Sequence, residues 1–436
     1  MPDHNGPDDR KTEPRRFINE KIVKQPMSKE DILKRSLGLL ATAVIFGFVA
    51  AVTFVISRPV AERWFLREAT TEATPVTIPK DDPEAVSNEA EVVSSEAQTE
   101  PIEEILKSAM EKYPFSMSDL NVLYGNMKTV VQNADKGIVT VHSVKTQKDW
   151  FNNPVENSGL YAGVITATAN QELLILTPEK AVEDADAIRV AFTDGTEVQG
   201  TIKQTDKLSG MAIVSVSTEG LGRALLEEVK AIELGNSYSV KQGDLVIAIG
   251  GPAGMVHSSG YGFISYITKN VQVTDGMTRI LYSDVKGNAA TGTFLMNTSG
   301  QIIGWITEEY KNDGNKDMTT AMAISDYKNI LEKMSNGVAY PYFGMKGQEV
   351  SAAMNSSGMP LGVYVVEVNT DSPAYNAGIQ SGDIITSMGG KTIVTMKDFQ
   401  ILLEKSSTGQ VIPVTVSRSG REEFKKIQFQ VTIGAR

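Results

Sequence analysis

The sequence predicts a mainly β body, a smaller α+β module at its C-terminal end, and one apolar helix ahead of both. Three observations carry this reading. From Gly137 onward, short apolar runs such as GIVTVHSV, ELLILT, DLVIAIGG and TFLMNTSGQIIGWIT alternate with turn residues and no intervening helical pattern, as in a barrel or sandwich. Beyond Tyr342, strand patterns alternate with two short helical ones. Near the N-terminus, Ser36 to Ser57 carries no formal charge and is long enough to cross a hydrocarbon core of about 30 Å as a helix.

Taking the elements in order, residues 1–35 form a short, basic N-terminal segment that places this end in the cytoplasm: Lys21, Lys24, Lys29, Lys34 and Arg35 precede the apolar run, while Arg58, Arg63 and Arg67 follow it among glutamates. Residues 36–57 are the expected transmembrane helix and single contact with the lipid bilayer. A cleaved signal peptide would have an apolar region of roughly 7 to 15 residues and a small-residue cleavage site; this run is longer and ends in Phe54, Val55 and Ile56. Everything after Arg58 is then expected outside the cytoplasm, in a protein of the cell membrane.

Residues 58–100 are rich in Glu, Ser, Thr, Ala and Pro and read as an acidic disordered linker. After Pro101, Ile102, Ile105, Leu106, Ala109 and Met110 recur at helical spacing. A second helical stretch carries Leu123, Met127, Val130 and Val131, and both stretches are expected to pack on the following domain. The lead-in and strand-rich body together span 101–335, closing with a helix over Ser325 to Met334, and the C-terminal module spans 336–436.

Composition narrows the function. A chain of 436 residues is too long for one core, and 37 Gly with 17 Pro suit a body rich in turns. The net charge of −11 repels phosphate backbones and argues against nucleic acid as a partner. With no cysteine there is no disulfide, thiolate metal site or cysteine nucleophile, and His4, His142 and His257 are too few for a multi-histidine centre. No metal or cofactor is expected.

Several segments carry a specific likeness. IELGNSYSVKQGDLVIAIGGPAG (Ile232 to Gly254), GFISYIT (Gly262 to Thr268) and NTSGQIIGWIT (Asn297 to Thr307) resemble, in order, the protease domain of the HtrA/Deg family. The likeness runs from about Met127 to the end, and implies a trypsin-like double β-barrel. Such catalysis needs a hydroxyl, an imidazole, an orienting carboxylate and amides for the oxyanion. At the family's histidine position, LTPEKAV places Lys180; at the aspartate position, SGMAIVSV places Gly210. The nucleophile loop corresponds to AATGT, with Thr291 at the serine position, or Ala289 if Gly287-Asn288 is aligned instead.

No catalytic residue is therefore expected, and the resemblance implies a pseudoprotease. One enzymatic alternative is Thr291 as nucleophile with Lys180 as a desolvated base, although threonine is stiff about χ1. His142 lies in an alternating strand and reads as a core or cross-strand residue, and His257 reads as part of a solvent-exposed turn.

The C-terminal module resembles the circularly permuted PDZ domains of bacterial extracytoplasmic proteases. YFGM matches their carboxylate-binding loop, GVYVVEVNTDSPAYNAGIQSGDIITSMGGKTI their signature strands and turn, and MKDFQILLEK the helix beside the groove. The resemblance implies that amides around Tyr342, Phe343, Gly344 and Met345 receive a terminal carboxylate while the peptide adds to the strand edge. Met396, Phe399, Leu402 and Leu403 are candidates for the adjoining pocket, with a core role as the plain alternative. Expected partners are C-terminal or unfolded peptides, in envelope quality control. HtrA relatives form trimers through the protease domain, which extends that expectation here. A scaffold whose PDZ groove is filled by its own chain is a further alternative.

Overall fold

The computed structural model describes residues 74–83, 116–148, 154–421 and 423–436. The expected transmembrane helix at 36–57, the N-terminal segment and the first helical stretch at 102–110 lie outside the described residues; among those described, no helix is long and apolar enough to cross a membrane.

The lead-in helix α1 (Met117–Asp135) starts at a capping box in which Ser116 and Asp119 exchange side-chain and backbone hydrogen bonds. Only its C-terminal half packs as expected. Ala134 is buried, with Val130 and Val131 against the core, whereas Leu123, expected to pack, is 52% exposed.

Six antiparallel strands follow: β1 (Ile138–Lys148), β2 (Pro154–Ala169), β3 (Glu172–Pro178), β4 (Ala187–Ala191), β5 (Glu197–Asp206) and β6 (Met211–Ser217). They close as β1-β2-β3-β6-β5-β4. The short helix α2 (Arg223–Glu228) leads to a second closed barrel, β10-β11-β12-β9-β8-β7. Its strands are β7 (Leu245–Gly250), β8 (Gly260–Val273), β9 (Gly276–Ser283), β10 (Thr293–Met296), β11 (Ile302–Thr307) and β12 (Thr319–Ala323).

Strand alternation explains how both faces of these walls are used. In β3, Leu173 and Ile175 fill the first barrel, while Leu174 and Leu176 join a core shared by the two barrels. In β10, Leu295 points into the second barrel and Phe294 and Met296 into the shared core. Walls buried on both faces read as the near-continuous apolar runs seen in the sequence. Trp305 of β11 lies in this shared core, its indole donating to Ser209 O at 3.2 Å and its ring edge-on to Tyr327 at 4.8 Å.

A 3-10 turn (Ile324–Tyr327) and helix α3 (Lys328–Ser335) close the body, near the expected boundaries. Part of the segment expected as disordered linker packs here. Thr74–Pro83 has no regular secondary structure, with Val76 N donating to Asn336 Oδ1 and Ile78 N to Glu332 Oε2, both at 2.8 Å. Val76 and Ile78 lie on the shared core, and Asp81 pairs with the buried Lys328 at 2.8 Å. The composition of 58–100 obscured two apolar residues with a place to go.

The C-terminal module comprises β13 (Pro341–Tyr342), β14 (Met345–Glu349), α4 (Ala352–Ser356), β15 (Val363–Val368), α5 (Pro373–Ala377), β16 (Ile384–Met388), β17 (Lys391–Thr392), α6 (Met396–Glu404), β18 (Val411–Ser419), β19 (Phe424–Thr432) and β20 (Gly434–Ala435). The main sheet runs β14-β15-β16-β18-β19, with β14 at an edge beside the carboxylate loop. Three short helices are present where two were expected.

Candidate functional site

Two places bear on function: the mouth between the barrels, where a triad would stand, and the loop before β14.

At the mouth, β3 runs into a 3-10 turn, Glu179–Ala181, which presents Lys180 to solvent. An exposed ammonium lacks the apolar burial that a lysine base requires. Gly210 precedes β6 with φ +69° and contributes no side chain; its carbonyl accepts a bond from Glu179 N at 2.8 Å, which ties the two strand ends together. The neighbouring Glu179 is 8% exposed, and burial, reinforced by Glu183, pushes its carboxyl up against the pull of Lys207.

Thr291 lies in the turn before β10. Its hydroxyl donates to Gly251 O at 2.7 Å, across the mouth rather than toward Lys180. Its amide donates to Asn288 Oδ1 at 3.2 Å, and Ala290 N donates to the same oxygen at 2.9 Å. Gly292 N is bonded to Ala289 O at 3.3 Å. Three successive amides of the nucleophile loop thus bond within the loop instead of converging on an anion pocket. Ala289, the other aligned position, is half-buried against the second barrel's core.

The histidines do not rebuild the site. His142 is half-buried in β1, in register with Leu160 and Arg189. His257 departs from the exposed turn expected of it: it is half-buried, and its Nδ1 lies 2.9 Å from Asp135 Oδ1 at the end of α1. Sequence reading missed this pair because the partners are remote in sequence. Among the described residues no hydroxyl is bonded to His257; the adjacent Ser258 hydroxyl donates to Met255 O at 2.6 Å.

The PDZ loop is differently placed. Gly344 has φ +91°, and a β-carbon there would collide with Ser372, so glycine is required where the backbone turns. Phe343 and Met345 are fully buried, and Phe343 meets Phe399 edge-on at 5.2 Å. Tyr342 is half-buried, its hydroxyl accepting from Asn369 Nδ2 at 3.1 Å. On α6, Met396, Phe399 and Leu403 belong to the module's core and Leu402 lies at its margin. Lys397, Gln400, Ile401 and Glu404, which were not singled out in the sequence, line a crevice of about 350 Å³ facing the second barrel.

The turn between β8 and β9 reaches this loop. Asp275 accepts hydrogen bonds from Phe343 N at 2.8 Å, Gly344 N at 2.8 Å and Met345 N at 3.0 Å. Its own amide donates to Met345 O at 2.7 Å. The residue is 5% exposed; burial pushes its carboxyl up, and the three backbone amides oppose that shift. Its only sequence signal was an Asp-Gly pair at a hairpin tip, which reads as a turn.

Comparison with known proteins places both halves. A trypsin-like peptidase domain model matches residues 162–304, and a PDZ domain model matches 341–429. The chain is 29% identical over 292 residues to the serine protease Do-like HtrA of Bacillus subtilis, covering 62% of this chain and 64% of that protein. It is also 29% identical over 314 residues to the serine endoprotease DegS of Salmonella typhimurium, covering 70% and 84%. The chain belongs to the HtrA-like family.

As an HtrA-like chain it matches less than two thirds of the length of the Bacillus relative. Its fold is similar to the structure titled "HtrA-type protease AlgW with decapeptide", with TM-score 0.51 and 20% identity over 71% of this chain and 98% of that one.

Proposed function

We propose that this HtrA-like chain is a non-catalytic binding protein, held in the membrane by residues 36–57, whose PDZ domain receives peptide C-termini outside the cytoplasm. It would act as a sensor or adaptor in envelope protein quality control, with the barrels as the frame and a trimer as the assembly that its relatives suggest. The observation that carries the reading is the state of the mouth: Thr291 bonded to Gly251 O and Asn288, Gly210 without a carboxylate, and Lys180 in solvent. Without a base beside the hydroxyl and amides free to hold an oxyanion, acyl transfer loses the groups that lower its barrier. The PDZ match, and the decapeptide in the AlgW structure, support peptide recognition as the remaining activity.

The test incubates the purified chain with a fluorophosphonate probe and, separately, with casein. No labelling and no cleavage are expected. Labelling at Thr291 would restore the threonine–lysine alternative and overturn the non-catalytic reading.

A second reading, a scaffold whose PDZ groove is filled by its own chain, is favoured by the position of Asp275 on the carboxylate loop. The two readings differ in whether any external C-terminus is captured.

A further inference from the structure

The PDZ loop and the β8–β9 turn meet as a receptor meets its ligand. A PDZ domain receives a C-terminus through successive loop amides that bind the carboxylate, while the last residue's N–H donates to the edge strand. Asp275 reproduces both halves of that pattern: its side-chain carboxylate takes the amides of Phe343, Gly344 and Met345, and its own N–H donates to Met345 O.

The flanking residues extend the match along the groove. Gln272 Nε2 donates to Gln348 Oε1 on β14 at 2.9 Å, and Thr274 Oγ1 accepts from Asn369 Nδ2 at 3.3 Å. Met277 packs on the module's core. On the opposite side, Gly276 lies so near the Gln400 side chain of α6 that a β-carbon would strike it. The hairpin tip therefore lies between β14 and α6.

The turn itself has the geometry this demands. Val273 pairs with Gly276, leaving Thr274 and Asp275 as the two turn residues, and Asp275 has φ +63°. Aspartate tolerates this left-handed conformation, and its short side chain brings the carboxylate close to its own amide, as a chain terminus would. An ordinary contact between domains would keep a carboxylate at the rim, in water. Here it is buried, with its bonds made to the loop.

We propose that Asp275 is the resident ligand of the PDZ carboxylate loop, so that an external C-terminus binds only by displacing the β8–β9 turn. This rests on the peptide-receiving reading above and adds its regulation. A ligand on the same chain acts at a high effective concentration, and the apparent affinity for any competitor falls by the fraction of molecules in which the loop is open. The partner is then a chain end presented densely or in large excess, rather than a scarce free peptide.

The test uses the full chain, wild type and with Asp275→Ala or Asp275→Asn; the asparagine keeps the shape but turns an amide donor toward amide donors. The probe is a pool of decapeptides randomised at their last three positions, with free or amidated C-termini. Hydrogen exchange at Phe343, Gly344 and Met345 is read alongside capture. Both variants are expected to exchange these amides about tenfold faster and to capture the free-carboxylate pool at least about tenfold more tightly than wild type. Excess free-carboxylate pool, but not the amidated pool, should also speed exchange of the β8–β9 turn in the wild type, a readout independent of variant folding.

Measurable and equal capture by all three forms, equal capture of amidated peptides, or unchanged exchange in the variants would each overturn the proposal. Faster loop exchange with no capture by any form would sustain Asp275 as the internal ligand and remove the peptide-receiving reading instead.

Discussion

Glu179 sits beside the position where a catalytic imidazole would stand, and its environment penalises its charge. Burial comes first and Glu183 next in raising its carboxyl above the ordinary value, while Lys207, 4.0 Å away, partly offsets them. Since the folded-state value lies above the unfolded one, the stability this group contributes is present below the ordinary carboxylate value of about 4.3 and is lost as pH rises through the folded value. Glu179→Gln keeps the shape and removes the charge. Calorimetry should find the variant melting above wild type at about pH 8, with the gain vanishing near about pH 4; a variant melting lower at the higher pH would contradict this sign. A proteolytic site would place such a group in service of catalysis, whereas here its Coulombic neighbours are surface residues. Lys180, Gly210 and Thr291 could be located in the sequence because each stands at the end of a strand whose apolar run fixes the register. The bond of the Thr291 hydroxyl to Gly251 could not, since which way a hydroxyl turns depends here on a loop some forty residues distant in the chain.

A buried ion pair between two elements gives the clearest stability test. Thr74–Pro83 has no secondary structure of its own, yet Asp81 reaches Lys328 on α3, whose side chain is 4% exposed, and Lys80 pairs with Glu404 on α6 at 2.7 Å. Removing one partner of a buried pair leaves the other charge desolvated, a cost of about 3–5 kcal/mol. Asp81→Ala should therefore lower the unfolding free energy read from urea titration by that scale, whereas Lys80→Ala, on a half-exposed pair, should cost under about 1 kcal/mol. Equal effects from the two substitutions would show that the segment is not anchored at Asp81. The strands and α6 were legible because short apolar runs bounded by turn residues, and capping patterns, are local: Thr395 and Asp398 form a capping box that the sequence spells out. Thr74–Pro83 was not, because a segment without secondary structure takes its order from the surface it lies on, and composition speaks only of the segment itself.

Across the whole molecule, the barrels and PDZ domain are bound by contacts between charged groups as well as by the hairpin. Arg436, its side chain 5% exposed, donates to Asp206 of the first barrel at 2.8 Å, and its amide reaches Tyr340 O at 2.8 Å. Asp206 is 2% exposed, and its other oxygen has no partner among the described residues. Arg436→Ala should cost about 3–5 kcal/mol by leaving Asp206 buried and unpaired, while replacing both residues with apolar side chains of similar volume should come close to neutral. Urea unfolding of the single and double variants decides it: a double variant as unstable as the single would mean that the contact acts through packing alone. Sequence reading found both domains and their order, since each has its own pattern. It found neither of these ties between them, because Asp275 and Arg436 each meet a partner at least sixty-eight residues away.

Trp305 turns the packing of the two barrels into an optical quantity. Trp305 is 3% exposed and its indole is bonded to the carbonyl just before Gly210, with Tyr327 in a T-shaped contact, so it emits from a rigid, water-free setting while the barrels stay together. Any event that parts them admits water to this one ring and moves its emission to longer wavelength. With Trp64 and Trp150 replaced by phenylalanine, the chain carries its own dye for the seam beneath the missing acid.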